Sequence, residues 1–200
     1  MVKPVDFYFE FSSPYGYIAT EIAEATEKRI GRQMTWRPML LGPVFKITGQ
    51  QPLVSVPMKG EYSKHDFERT ARLHNVTFRY PAKFPINTVG AVRAFYWVQD
   101  QHPAKARALA KALYHAYFVE GHDISAPEKV VEVARAAGID GDALAKALED
   151  PAIKERAKRE VDGAIAAGVF GSPYFIVDGE PFWGVDRLPM LEDWVKRGGW

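Results

Sequence analysis

The sequence predicts an α/β protein with a split core: a strand–helix–strand opening, a long helical block, and a strand–strand–helix close. Three observations carry this reading. Short aromatic and β-branched runs of strand length occur only near the two ends, within Val5 to Met39 and Tyr174 to Trp183. From Lys59 to about Ala167 apolar residues recur at helical spacing instead. The 200 residues, 47% hydrophobic and 26% charged, suit one domain, or one domain carrying a substantial insertion.

Val5 to Phe11 reads as a strand, apolar at nearly every position and so buried on both faces. It runs into Ser12-Ser13-Pro14, where a serine oxygen can cap free N–H groups and proline suits the first helical position. Tyr17, Ile18, Ile22 and Ala25 mark the helix that follows, ending near Gly31. Met34 to Met39 is a second strand, stopped by Pro38 and Gly42-Pro43. Such a βαβ unit implies a parallel pair with a right-handed crossover.

Gly42 to Pro57 reads as an extended loop, rich in turn residues. Phe67, Ala71 and His74 form one helical stripe, and Val89, Val92, Phe95 and Tyr96 another. Alanine-rich Ala106 to Phe118 is a strong helix former. Ser125-Ala126-Pro127-Glu128 starts a helix that Gly138 ends, and Asp140 to Leu148 and Ile153 to Ala167 follow. Tyr174 to Asp178 is a strand, Asp178-Gly179 a hairpin turn, Pro181 to Trp183 the return strand, and Leu188 to Val195 a closing helix. The expected division is residues 1–45 with 168–200 as the α/β part, and 46–167 as the helical insertion.

Composition narrows the chemistry. Twenty-six basic residues against 25 acidic leave a net charge of +1, without the basic excess usual in nucleic-acid binders. There is no cysteine, so disulfide exchange, zinc–thiolate sites and a thiol nucleophile of the protein's own are excluded. Asp6 and Glu10 interrupt the first apolar segment, no signal-peptide pattern opens the sequence, and no run is long enough for a membrane helix. A soluble cytoplasmic protein is expected, with neither nucleic acid nor membrane as partner. His65, His74, His102, His115 and His122 show no metal-ligand spacing, so no metal is expected. Gly171-Ser172-Pro173 breaks the nucleophile-elbow pattern, and no phosphate-binding glycine loop occurs. The run Lys154 to Arg159 is interleaved with acids and reads as a solvated helix face.

The order of elements is that of a thioredoxin-like core split by helices, and the motifs refine it. Where the first strand meets the first helix stands Ser13-Pro14-Tyr15-Gly16, with serine and glycine at the two redox-cysteine positions. Pro173 precedes the third strand in Gly171-Ser172-Pro173-Tyr174-Phe175. With Asp6-Phe7-Tyr8-Phe9-Glu10-Phe11, with Pro57-Met58-Lys59 followed by Tyr62, Asp66 and Arg69, with Phe84-Pro85-Ile86-Asn87-Thr88 and with Phe182 to Leu188, the chain resembles the 2-hydroxychromene-2-carboxylate isomerases. These are DsbA-like proteins related to kappa-class glutathione transferases, and the resemblance runs from Val5 to about Val195.

The resemblance implies glutathione as cofactor, a small aromatic carboxylate as substrate, and a homodimer. Read locally, Ser13 is an N-cap; in the family context its hydroxyl can donate to a thiolate placed at the positive end of the helix. The bond before Pro173 is then expected to be cis, freeing the backbone of Ser172 to pair with the cysteinyl unit. Asp186 and Arg187 would hold the γ-glutamyl end, although an aspartate before a helix is also a common cap. Lys59 is the candidate for a glycyl or substrate carboxylate, Asn87 a polar group facing substrate, and Phe11, Tyr15, Phe84 and Trp183 candidates for an aromatic wall. Gln51 lies near an asparagine of the kappa enzymes, a departure from their pattern. The reaction implied is cis–trans isomerisation by reversible thiolate addition. A kappa-like transferase and a non-catalytic, cysteine-less binding module are the alternatives.

Overall fold

The computed structural model describes residues 3–200; Met1 and Val2, with which the expected first segment begins, lie outside the described residues. Its centre is a four-stranded mixed sheet in the order β2-β1-β3-β4. Strand β1 (Val5–Phe9) runs parallel to β2 (Met34–Pro38), with Val5 opposite Met34 and Phe9 opposite Pro38. Strand β3 (Tyr174–Val177) pairs antiparallel on the other side of β1, and β4 (Glu180–Trp183) closes a hairpin at the edge. As an inner strand β1 is covered on both faces, which is why its sequence is apolar almost throughout. Phe7 and Phe9 are fully buried, Phe7 stacking on Phe175 at 4.9 Å and meeting Trp36 edge-on at 5.7 Å. Each contributes roughly 1.5–3 kcal/mol of burial free energy.

Helix α1 (Pro14–Ile30) carries the chain from β1 to β2 and ends on Gly31, whose φ of 65° favours a residue without a side chain. The helices α2 (Leu41–Thr48), α3 (Lys59–Leu73), α4 (Val89–Gln101), α5 (Pro103–Phe118), α6 (Pro127–Ala136), α7 (Gly141–Glu149) and α8 (Pro151–Ala166) intervene before β3, and α9 (Leu188–Arg197) ends the chain. Helix α5 packs on α1 and α4. Its Tyr114 and Phe118 extend the sheet's aromatic core, with Tyr114 5.1 Å from Phe11 and Phe118 5.3 Å from Tyr17. Sheet and helical block thus share one core. No helix among the described residues is long and apolar enough to cross a membrane.

The structure corrects the sequence reading in three places. The segment expected as a loop over Gly42 to Pro57 holds α2 and a 3-10 turn at Leu53–Ser55. Pro43 falls in the first turn of α2, where no helical N–H is needed, so Gly42-Pro43 lies in the opening turn of a helix rather than only stopping the second strand. The helical patterning is broken between Leu73 and Val89: His74 caps α3 instead of continuing it, and the link contains a cis bond, Phe84-Pro85. The first strand ends at Phe9, because the Ser13 N–H turns back to the Glu10 carbonyl at 2.8 Å.

Candidate active site

The carboxyl end of β1, the start of α1 and the turn before β3 converge on Ser13. Its Oγ accepts the Gly16 N–H at 3.0 Å, capping α1, and donates to the Ser172 carbonyl at 3.2 Å. The peptide bond between Ser172 and Pro173 is cis, as the family context predicts. Residues 159 positions apart thereby meet at the positive end of a helix. Ser12 does not share this role. It is buried, and its Oγ accepts the Ile86 N–H at 3.1 Å, whereas Ser13 is part-exposed.

Gly16 explains how the two serines come so close. A Cβ there would lie 2.7 Å from Ser172 Oγ and 2.8 Å from the Tyr114 hydroxyl. Neither atom is free to retreat, since Ser172 Oγ accepts the Glu10 N–H and the Tyr114 hydroxyl donates to the Glu10 carbonyl, both at 2.9 Å. On the far side of the turn Trp183 is 53% exposed, with its indole nitrogen over Gly171 and its ring 4.9 Å from Phe170. Gly184 continues β4 into the next turn, donating to the Pro173 carbonyl at 3.0 Å.

Tyr15, two residues beyond Ser13, leans on Phe67 of α3 at 4.9 Å, and Phe84 lies 6.2 Å beyond Phe67. The Tyr15 hydroxyl donates to Asp66, which also accepts from Arg69; Arg69 in turn donates to the Tyr62 hydroxyl at 2.9 Å. Burial would push the Asp66 carboxyl up, but the bonds from Tyr15 and Arg69 outweigh it and hold the carboxyl below its usual range. Burial, reinforced by Asp66, raises the Tyr15 phenol, which stays protonated as a donor. This chain joins α3 to α1 and forms one wall beside Ser13.

The other expected residues stand further out. Lys59 opens α3, exposed and without an ion pair among the described residues, about 10 Å along that helix from Asp66 at 1.5 Å per residue. Asp186 and Arg187 lie in a 3-10 turn packed against α1, exposed and paired with each other at 2.8 Å. Neither caps α9 with its side chain, so the simple capping role is absent. Asn87 is exposed and its Oδ1 accepts the Val89 N–H at 2.9 Å, a helix-start role. Phe11 is fully buried against Phe9 and Tyr114 and offers no face to a ligand, which removes it from the aromatic wall.

Glu10 is the participant that the sequence reading missed as a site residue. Its carboxylate accepts the Ser12 N–H at 2.8 Å and the Thr88 hydroxyl, and burial pushes it up to about 7 against the opposing pull of those two bonds. The available signal was an acid flanked by Phe9 and Phe11 at the end of a largely apolar segment. Among the described residues no group of three His, Cys, Asp or Glu side chains is placed to hold a metal ion.

Fold and site together define a thioredoxin-fold protein whose helix-start motif has serine and glycine in place of cysteines. Residues 4–196 match the DSBA-like thioredoxin domain. The chain belongs to the DSBA-like thioredoxin family, within the group of the 2-hydroxychromene-2-carboxylate isomerases. It is 32% identical to the 2-hydroxychromene-2-carboxylate isomerase of Sphingobium xenophagum, covering 98% of this chain and 99% of that one. A solved structure of a 2-hydroxychromene-2-carboxylate isomerase superposes with a TM-score of 0.87 at 28% identity, over 98% of this chain and 95% of the other. Human glutathione S-transferase kappa 1 is 23% identical over 94% of this chain and 89% of its own. These relationships support a function of isomerase or glutathione-transferase type.

Proposed function

We propose that this protein is a glutathione-dependent cis–trans isomerase acting on 2-hydroxychromene-2-carboxylate, or a close analogue, in the breakdown of naphthalene-type aromatic hydrocarbons. The observation that carries this reading is the Ser13 hydroxyl at the start of α1, 3.2 Å from the Ser172 carbonyl of the cis turn. The donor set fits a thiol-bearing peptide. Ser13 supplies an O–H beside a helix N-terminus, and the backbone N–H of Ser172 has no partner in the protein among the described residues. Asp186, Arg187 and Lys59 offer charges of both signs for the peptide's ends.

When bound, glutathione supplies a thiolate that adds reversibly to a conjugated double bond and so lets it rotate. The chain's own part is electrostatic and steric. The Ser13 hydroxyl proton turns from the Ser172 carbonyl toward the anion, and the free N–H groups of α1 add their partial positive charge. Lys59 receives the substrate carboxylate, Asn87 presents its amide, and Tyr15, Phe84 and Trp183 enclose the aromatic ring. We place the enzyme in the cytoplasm, where reduced glutathione is available, as a homodimer. The same Ser13–Pro173 pair would serve a kappa-like transferase, and the similarity to human kappa 1 keeps that second reading open to test.

The test is calorimetric titration of reduced glutathione into the wild type and Ser13→Ala, followed by a chromene-carboxylate isomerisation assay. One-to-one binding is expected, with the variant impaired in thiolate retention more than in overall affinity. Turnover without loss of glutathione selects the isomerase, and a released conjugate selects the transferase. No binding at millimolar glutathione overturns both and leaves a binding module.

A further inference from the structure

Two carboxylates are buried among the described residues, and they are treated very differently. Glu27 is held by Arg107 through two bonds of 2.9 and 3.0 Å. Glu10 has no cation against it, only the Ser12 N–H and the Thr88 hydroxyl. Ser12 adjoins the N-cap of α1 and Thr88 is the N-cap of α4, so this carboxyl stands at the positive ends of two helices. Its backbone is tied into the same place: its N–H donates to Ser172 Oγ, and its carbonyl accepts the Ser13 N–H. The other titratable groups facing it are the phenols of Tyr114 and Tyr117 on α5, which burial keeps neutral near pH 7. A brace alone could be built from glutamine, whose amide oxygen would accept the Ser12 N–H while its NH2 donates to the Thr88 hydroxyl, without the desolvation penalty of an unpaired buried charge.

We propose that Glu10 is a positioning residue whose protonation is coupled to the thiolate held at Ser13, because carboxylate and thiolate compete for the same helix end. The inference rests on the thiol-binding reading of the site and deepens it. Its balance is simple: the S–H bond of the incoming thiol breaks, a carboxyl O–H forms on Glu10, and little net proton reaches the solvent. Linkage makes the coupling reciprocal, so an ionised Glu10 weakens the site's hold on thiolate as much as thiolate favours the neutral acid. Burial places the carboxyl's own titration, at about 7, within the range where this exchange operates.

The experiment measures glutathione binding calorimetrically at pH 7.5 in buffers of differing ionisation enthalpy, with thiolate absorbance followed across pH 6–9. Glu10→Gln is expected to release nearly one proton on binding where the wild type releases much less. It should also lower the apparent pKa of the bound thiol by about one unit, a tenfold gain in thiolate at limiting pH. Thr88→Val removes the hydroxyl that favours ionised Glu10 and should shift the thiol in the same direction, which keeps the test alive if Glu10→Gln does not fold. Equal proton release and equal pH profiles in wild type and variants overturn the coupling and leave the thiol site standing. Absence of glutathione binding by the wild type overturns the thiol site, and the coupling with it.

Discussion

Replacing Gly16 by alanine tests how tightly the site is built. In most helices Gly→Ala gains about 0.5–1 kcal/mol, because glycine loses more backbone entropy on folding. Gly163 in α8 meets those conditions: it is exposed, has no atom within 4 Å of a new Cβ, and Gly163→Ala should stabilise by about that amount. At Gly16 the same methyl would meet Ser172 Oγ at 2.7 Å, the Tyr114 hydroxyl at 2.8 Å and Ser13 Cβ at 3.2 Å. Relief requires moving an oxygen already bonded to the Glu10 backbone, and overpacking of this kind costs about 1–3 kcal/mol. Offset by the helix gain, Gly16→Ala should destabilise by about 1–2 kcal/mol and weaken glutathione binding by displacing Ser172. Urea denaturation of both variants gives the comparison, a gap of about 1.5–3 kcal/mol between two chemically identical changes. If both variants gain equally, the Ser172 turn does not lie against α1 as described, and the account of the site is wrong.

Three other outcomes follow from the same geometry. The Glu10 carboxyl is raised from 4.5 to about 7, so the ligand-free fold binds that proton more tightly than the unfolded chain does. The wild type should therefore lose about 3 kcal/mol relative to Glu10→Gln as pH rises from about 4.5 through 7, a slope that pH-resolved denaturation would show and a parallel pair of curves would refute. Tyr15→Phe leaves Asp66 one donor short and should cost about 1 kcal/mol, with the Asp66 carboxyl rising toward its ordinary range in an NMR titration. Asp186→Asn should weaken glutathione about tenfold, the worth of one charge-assisted bond, whereas Asp193→Asn on α9, outside the site, should leave the affinity unchanged.

The parts of the fold that were legible in the sequence are those set by local chemistry. Ser13-Pro14 announced the start of α1, and Asp178-Gly179 announced a hairpin, where φ values of 53° and 92° are found. Pro173 was interpretable only because the order of elements around it fixed its place before β3. Residues 42–57 misled because Gly42-Pro43 has the same composition whether it ends one element or opens the next. Glu10 escaped notice because its neighbours in sequence are apolar, while the partners that give it meaning come from Thr88, Tyr114 and Ser172. Phe11 and Asn87 were chosen for closeness to a motif, and which way a residue faces is decided by packing that proximity along the chain does not encode.

Because β3 returns to pair with β1 only after eight helices, Ser13 and Ser172 close one very long loop. The entropy lost in such a closure grows with the logarithm of its length, so even doubling the helical block would add only about 0.6 kcal/mol. The part of the molecule that holds Ser13 and Ser172 is therefore nearly indifferent to the size of what separates its pieces. Length in that block is an inexpensive variable, through which elements such as α3, the wall beside Ser13, can be lengthened, shortened or exchanged while the two serines keep their meeting place.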